Sequence, residues 1–241
     1  MADLGADPRG DKETALIIGA GPGLSASIAR LCAAEGMDVA LAARDCAKLD
    51  GLKSEIKGRA YSCDTSAPDQ VASLFAQVTK DAGVPDLVIF NPSYRTRGPI
   101  ADLDPEEVKK ALLVTGFGGF LVGQAAARAM AGRGSGSILF TGASASVKGY
   151  VNSAPFAMGK FALRGLVQSM ARELAPKNIH VAHFVIDGGI SKGPDDPRGA
   201  DRGADGMLEP DAIAQNYLHV HRQHRSAWSW EIELRPWVES F

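Results

Sequence analysis

The segment Gly19-Ala20-Gly21-Pro22-Gly23 constrains the fold of this chain more than any other. It follows a short apolar run, Thr14–Ile18, and precedes a helical pattern from Leu24 to Glu35 with Ile28, Leu31 and Cys32 on one face. A buried strand that turns through glycines into a helix is how a βαβ unit begins. The alternation then continues. Strands are expected over 38–43, 59–62 and 87–90, and helices over 46–56 and 68–82, the latter with Val71, Leu74, Phe75 and Val78 at helical spacing. Asp104, Pro105 and Glu107 supply a capping carboxylate, a first-turn proline and an acid three positions on, so a helix starts there and runs to about Met130. A strand over 137–141, a helix over 154–174, a strand over 180–186 and a helix over 211–221 follow. The tail sets Trp228, Trp230, Ile232 and Leu234 against Ser229, Glu231 and Glu233, which is a period-two strand ended by Pro236.

Short apolar strands alternating with helices call for a parallel sheet covered on both faces. The expected class is α/β: a Rossmann-like doubly wound parallel sheet in three α/β/α layers, forming a single domain over 13–241 after a flexible polar lead over 1–12. The Gly-, Pro- and Asp-rich stretch 191–206 follows a strand end, where such folds bind ligands, and reads as a substrate lid. A net charge of −2 gives no reason to expect nucleic acid or an anionic membrane as partner. No run is expected to be long enough to span a bilayer. Cys32, Cys46 and Cys63 lack metal-ligand spacing and read as free thiols of a reducing, cytoplasmic compartment.

At the glycine turn the backbone can approach a pyrophosphate closely, and the following helix offers its free N–H groups. A plain β–α turn also favours glycine, so the position between strand and helix carries the argument. His219, His221 and His224 lie near a helix end without zinc spacing or an acidic companion, and no metal is expected.

Four ordered segments resemble the short-chain dehydrogenase/reductase family. Gly19 to Ser25 is similar to its Gly-x-x-x-Gly-x-Gly motif, with Ser25 in place of the last glycine. Ser62-Cys63-Asp64-Thr65 resembles the turn that holds adenine, and Phe90-Asn91-Pro92-Ser93 its Asn-Asn-Ala-Gly segment. Phe156-Ala157-Met158-Gly159-Lys160 stands where that family has Tyr-x-x-x-Lys. The resemblance spans roughly residues 14–190 and implies a nicotinamide cofactor held by Gly19, Gly21, Gly23, Leu24, Arg44, Asp64, Asn91 and Lys160. The position that carries the ribose-binding acid in NAD enzymes is Ala43, followed by Arg44, so NADP is expected ahead of NAD.

The family builds its site from Asn, Ser, Tyr and Lys. Lys160 is retained; the tyrosine position is Phe156, the serine position is Ala143, and the asparagine position is Thr115. Phenylalanine has no proton to give. Ser144 is adjacent to Ala143 and reads either as a shifted catalytic hydroxyl or as a turn residue, with Ser146 the further alternative. Tyr150 and Tyr94 are other candidate hydroxyls, each also readable as a packed aromatic. Asp187 reads as a turn cap or as a group facing the ligand. The catalytic candidates are therefore Lys160, Ser144, Tyr150 and Thr115. The resemblance implies an NAD(P)-dependent oxidoreductase moving hydride to or from a carbonyl or activated alkene of a small-molecule substrate, as a homodimer or homotetramer. Reductases of the 2,4-dienoyl-CoA type also resemble this family and lack the tyrosine. The alternative is a non-catalytic NADP(H)-binding sensor or partner subunit, favoured by the joint loss of serine and tyrosine.

Overall fold

The computed structural model describes residues 12–240, so the expected lead, Lys12 apart, lies outside the described residues. Seven strands form one parallel sheet: β1 (Thr14–Ile18), β2 (Asp38–Ala43), β3 (Arg59–Ser62), β4 (Leu87–Phe90), β5 (Gly136–Thr141), β6 (Ile179–Ile186) and β7 (Glu231–Leu234). Their order is β3-β2-β1-β4-β5-β6-β7. The chain builds outward from β1 to β3, then crosses back to lay β4 on the other side of β1. That reversal leaves a crevice at the carboxyl ends of β1 and β4, where doubly wound sheets take their ligands.

Helices cover both faces: α1 (Leu24–Ala34), α2 (Asp50–Glu55), α3 (Pro68–Ala82), α4 (Pro105–Leu112), α5 (Gly118–Ala131), α6 (Ala154–Leu174) and α7 (Pro210–His221). The period of two sorts the strand residues between two cores. Leu16 and Ile18 join Val122, Leu163 and Val167 of α5 and α6, while Ala15 and Ile17 join Ile28 of α1 and Tyr217 of α7. Both sides of a strand are thus dry, and β1, β4 and β6 are buried along their whole length, β6 with His180 and His183 among its apolar residues.

Three expectations are corrected. The helix expected over 46–56 divides into a 3₁₀ turn, Cys46–Leu49, and α2; Asp45 caps the turn by accepting the Ala47 N–H. The tail strand is shorter than expected. Trp228 stacks on His180 with ring centroids 4.6 Å apart and donates its Nε1–H to the Gln223 carbonyl, which holds the chain off the sheet until Glu231. The third concerns length. α4, a π turn at Leu113–Phe117 and α5 run on as one helix, Pro105–Ala131, of 27 residues, which is long and apolar enough to cross a membrane by length and composition. In the fold it packs one side into the sheet through Val122, Ala126 and Met130, and core helices pass the same test.

Candidate functional site

Gly19 closes the β1 turn with φ of +81°, and a Cβ there would stand 2.7 Å from the Pro92 nitrogen, so only glycine fits. Ser25, in place of the motif's last glycine, locks this turn. Its hydroxyl donates to the Gly19 carbonyl at 3.1 Å and accepts from Asn91 Nδ2 at 2.7 Å. Asn91 therefore ties β4 to the turn after β1. Gly21 and Gly23 have open space where a Cβ would be, and no side chain caps the N-terminus of α1. Leu24 buries its side chain in the core, leaving only its backbone N–H on this side.

A cavity of about 400 Å³ joins these parts. Gly19, Gly21, Arg44, Asp64 and Asn91 line it together, with Lys48, Thr65 and Tyr94. Asp64 accepts from the Ser66 hydroxyl and N–H, and those bonds hold its carboxyl below the usual range. Arg44 is exposed at the end of β2, and Lys48 adds a second cation that was not anticipated. The uncapped helix and open glycines fit the pyrophosphate of a dinucleotide.

The four catalytic candidates lie outside that lining and do not form one cluster of hydroxyls. Lys160 is 3% exposed and donates to the Thr141 carbonyl at 2.6 Å. Burial pushes its ammonium down to about 7, with the Arg95 charge acting in the same direction. The Thr141 hydroxyl bonds Tyr217, so β5 carries both contacts into the core. Thr115 sits in the π turn, packs on Gly159 of α6, and accepts the Tyr94 N–H at 3.3 Å. Ser144 begins a short 3₁₀ turn directly after β5, whereas Ser146 is buried and accepts the Ala143 N–H. Tyr150 is 44% exposed beside Lys148. The Tyr94 hydroxyl is taken by Glu107 and Lys110. Asp187 is ion-paired to Arg235 at 3.2 Å and reaches Lys148 at 3.9 Å.

Phe156 is buried on α6 one turn before Lys160, and the Arg95 guanidinium lies 4.0 Å above its ring centroid. Arg95 carries no motif signature; only the fold brings it to Phe156. Beneath this layer, buried His183 faces Glu231, which Arg164 grips through two hydrogen bonds of 2.6 and 2.7 Å. Desolvation pushes His183 down to about 4. A Cβ on Gly142 would overlap His183 Nε2, so β5 passes over the imidazole only as glycine.

Residues 13–191 match the family model described as short chain dehydrogenase, and the chain belongs to that family. Its members are oxidoreductases that bind NAD(P). Over 189 residues the chain is 28% identical to the 3-oxoacyl-[acyl-carrier-protein] reductase MabA of Mycobacterium tuberculosis, covering 78% of this chain and 74% of that protein. A short-chain dehydrogenase from Rhodopseudomonas palustris superposes with a TM-score of 0.80 at 37% identity, over 93% of this chain and 99% of that one. A metagenomic short-chain oxidoreductase in complex with NADP gives 0.78 at 26%, over 94% and 98%.

Proposed function

We propose that this protein is an NADP-dependent oxidoreductase with a divergent proton relay, acting on a carbonyl or activated alkene. The observation that carries this is the single cavity uniting Gly19, Gly21, Arg44, Asp64 and Asn91 at the reversal of strand order. When bound, the nicotinamide supplies or takes the hydride. Gly21, Gly23 and the Leu24 N–H would face the pyrophosphate, Asp64 the adenine, and Arg44 with Lys48 the 2′-phosphate; Asn91 holds the turn and Lys160 the nicotinamide ribose. Phe156 stands at the family's tyrosine position and Ala143 at its serine position, so neither hydroxyl is available. Ser144 at the end of β5 would orient the acceptor oxygen, Lys160 would hold or release a proton at Nζ, Thr115 would fix the Tyr94 loop, and Tyr150 would stand at the rim. An activated alkene suits this site best, because charge then rests on a conjugated oxygen and proton delivery tolerates a weak donor. Stretch 191–206 would close over the substrate; Arg198, donating to the Ile190 carbonyl, anchors its base.

Exposed Leu113, Phe117, Phe120, Met158 and Phe161 would be covered by a second copy in a homodimer or homotetramer. The three free cysteines support a cytoplasmic location within this reading. The alternative, a non-catalytic NADP(H)-binding sensor or partner subunit, is favoured by the lack of a hydroxyl at Phe156 and Ala143 and by the burial of Lys160 against the Thr141 carbonyl.

Titration of the cofactor's own fluorescence tests the reading. NADPH should bind at least tenfold more tightly than NADH, and Arg44→Ala should weaken NADPH by about 10–100-fold while sparing NADH, given about 1.5–3 kcal/mol for a charged hydrogen bond. Equal affinities would sink the NADP assignment. NADPH binding without oxidation across ketones and enones would select the sensor.

A further inference from the structure

Resting on the oxidoreductase reading above, we propose that Arg95 anchors an oxyanion, a carboxylate or phosphate, carried by the substrate. The loop between β4 and α4 is pinned on both sides of this residue. The Tyr94 N–H donates to Thr115 and the Tyr94 hydroxyl to Glu107, while the Gly98 N–H donates to the Asn152 carbonyl at 3.1 Å. The stretch between these anchors lies against α6, and Arg95 rests its guanidinium on the Phe156 face at 4.0 Å. Placed over the ring face, the guanidinium keeps N–H groups for a planar, two-toothed acceptor.

The charge balance around Phe156 lacks an anion. Lys160 Nζ is 5.8 Å from the same ring centroid, so two basic side chains approach one phenyl group. The carboxylates of Asp187, Glu107 and Glu231 are committed elsewhere: Asp187 to Arg235 and Lys148, Glu107 to Tyr94 and Lys110, Glu231 to Arg164 and His183. Among the described residues Arg95 has no acidic partner. Arg95 is exposed, so a ligand can reach it; partial burial of its guanidinium and the like charge of Arg97 both lower it from its ordinary value. An incoming anion would relieve the repulsion among Arg95, Arg97 and the protonated fraction of Lys160. A hydroxyl at position 156 would be a hydrogen-bond donor to a neutral oxygen; the phenyl ring with Arg95 above it presents a formal positive charge instead.

The test is calorimetric titration of the NADP-saturated protein with benzoate, phenyl phosphate and the neutral benzamide. Benzoate or phenyl phosphate should bind at least tenfold more tightly than benzamide, and the better of the two identifies the group. Arg95→Gln should abolish that preference, and Arg95→Lys, which keeps charge but loses the fork, should fall between. If the glutamine variant misfolds by circular dichroism, the lysine variant decides. Equal binding of benzamide, no binding of either anion, or an anion preference that follows Arg44→Ala rather than Arg95 would overturn the proposal. NADPH titrated onto Arg95→Gln separates the two readings: retained cofactor affinity with lost benzoate binding leaves the dehydrogenase reading intact. If no variant binds NADPH, benzoate titrated onto the cofactor-free protein still decides for or against Arg95.

Discussion

At the scale of single residues, Lys160 carries the largest electrostatic cost. Its folded-state pKa is depressed to about 7 by burial, whereas an unfolded lysine titrates near its ordinary value of about 10.4. Between those values the unfolded chain binds more protons, so Lys160 makes stability rise with pH at about 1.4 kcal/mol per unit. Below pH 7 the full cost of charging the buried amine is present. Denaturant unfolding at pH 7, 8 and 9 should show this slope in the wild type and its loss in Lys160→Met. Taking the difference removes the buried tyrosine and cysteines, which contribute equally to both. A parallel pH dependence in the two proteins would refute it. Lys160 was legible by its spacing from position 156, and its role as a buried amine was not. Arg95 and Ser25 show the same limit: neither stands out in the sequence as a ligand residue, and each gains its place from a neighbour far along the chain.

At the scale of elements, β7 is one of the two edge strands. It pairs only with β6, and its register rests on Glu231, which links Arg164 of α6 to His183 of β6. Both partners of the Arg164 pair retain some exposure, so Glu231→Gln should cost about 1–3 kcal/mol, read from urea midpoints. A loss below about 0.5 kcal/mol would show that the Glu231 charge is unimportant there. Periodicity located β1 to β6 and the main helices because both faces of the sheet are dry. It overreached in the tail: Trp228 and Trp230 alternate correctly, yet the first stacks on His180 and the second lies against Arg164. It also missed the π turn at Leu113–Phe117, where a single continuous helix was expected to about Met130.

At the scale of the whole molecule, the exposed aromatic face of the α5 and α6 helices sets the expected assembly. Phe117 and Phe120 stack 6.2 Å apart, and a cavity of about 400 Å³ beside them is lined by Gly123, Ala127, Leu166 and Met170. Sedimentation velocity on Phe120→Glu with Phe161→Glu should show a smaller species than the wild type at equal concentration. A wild type already monomeric would remove that surface from the assembly. The amino-acid sequence by itself determined the sheet, its helices and the glycine-lined nucleotide end, because these follow from local periodicity and from backbone geometry that only certain residues accept. Tertiary structure alone decided what stands around Phe156. Arg95 and Lys160 meet at its ring, Thr141 meets Lys160 and Thr115 meets Gly159 across long stretches of chain, and such contacts are a property of the packed molecule.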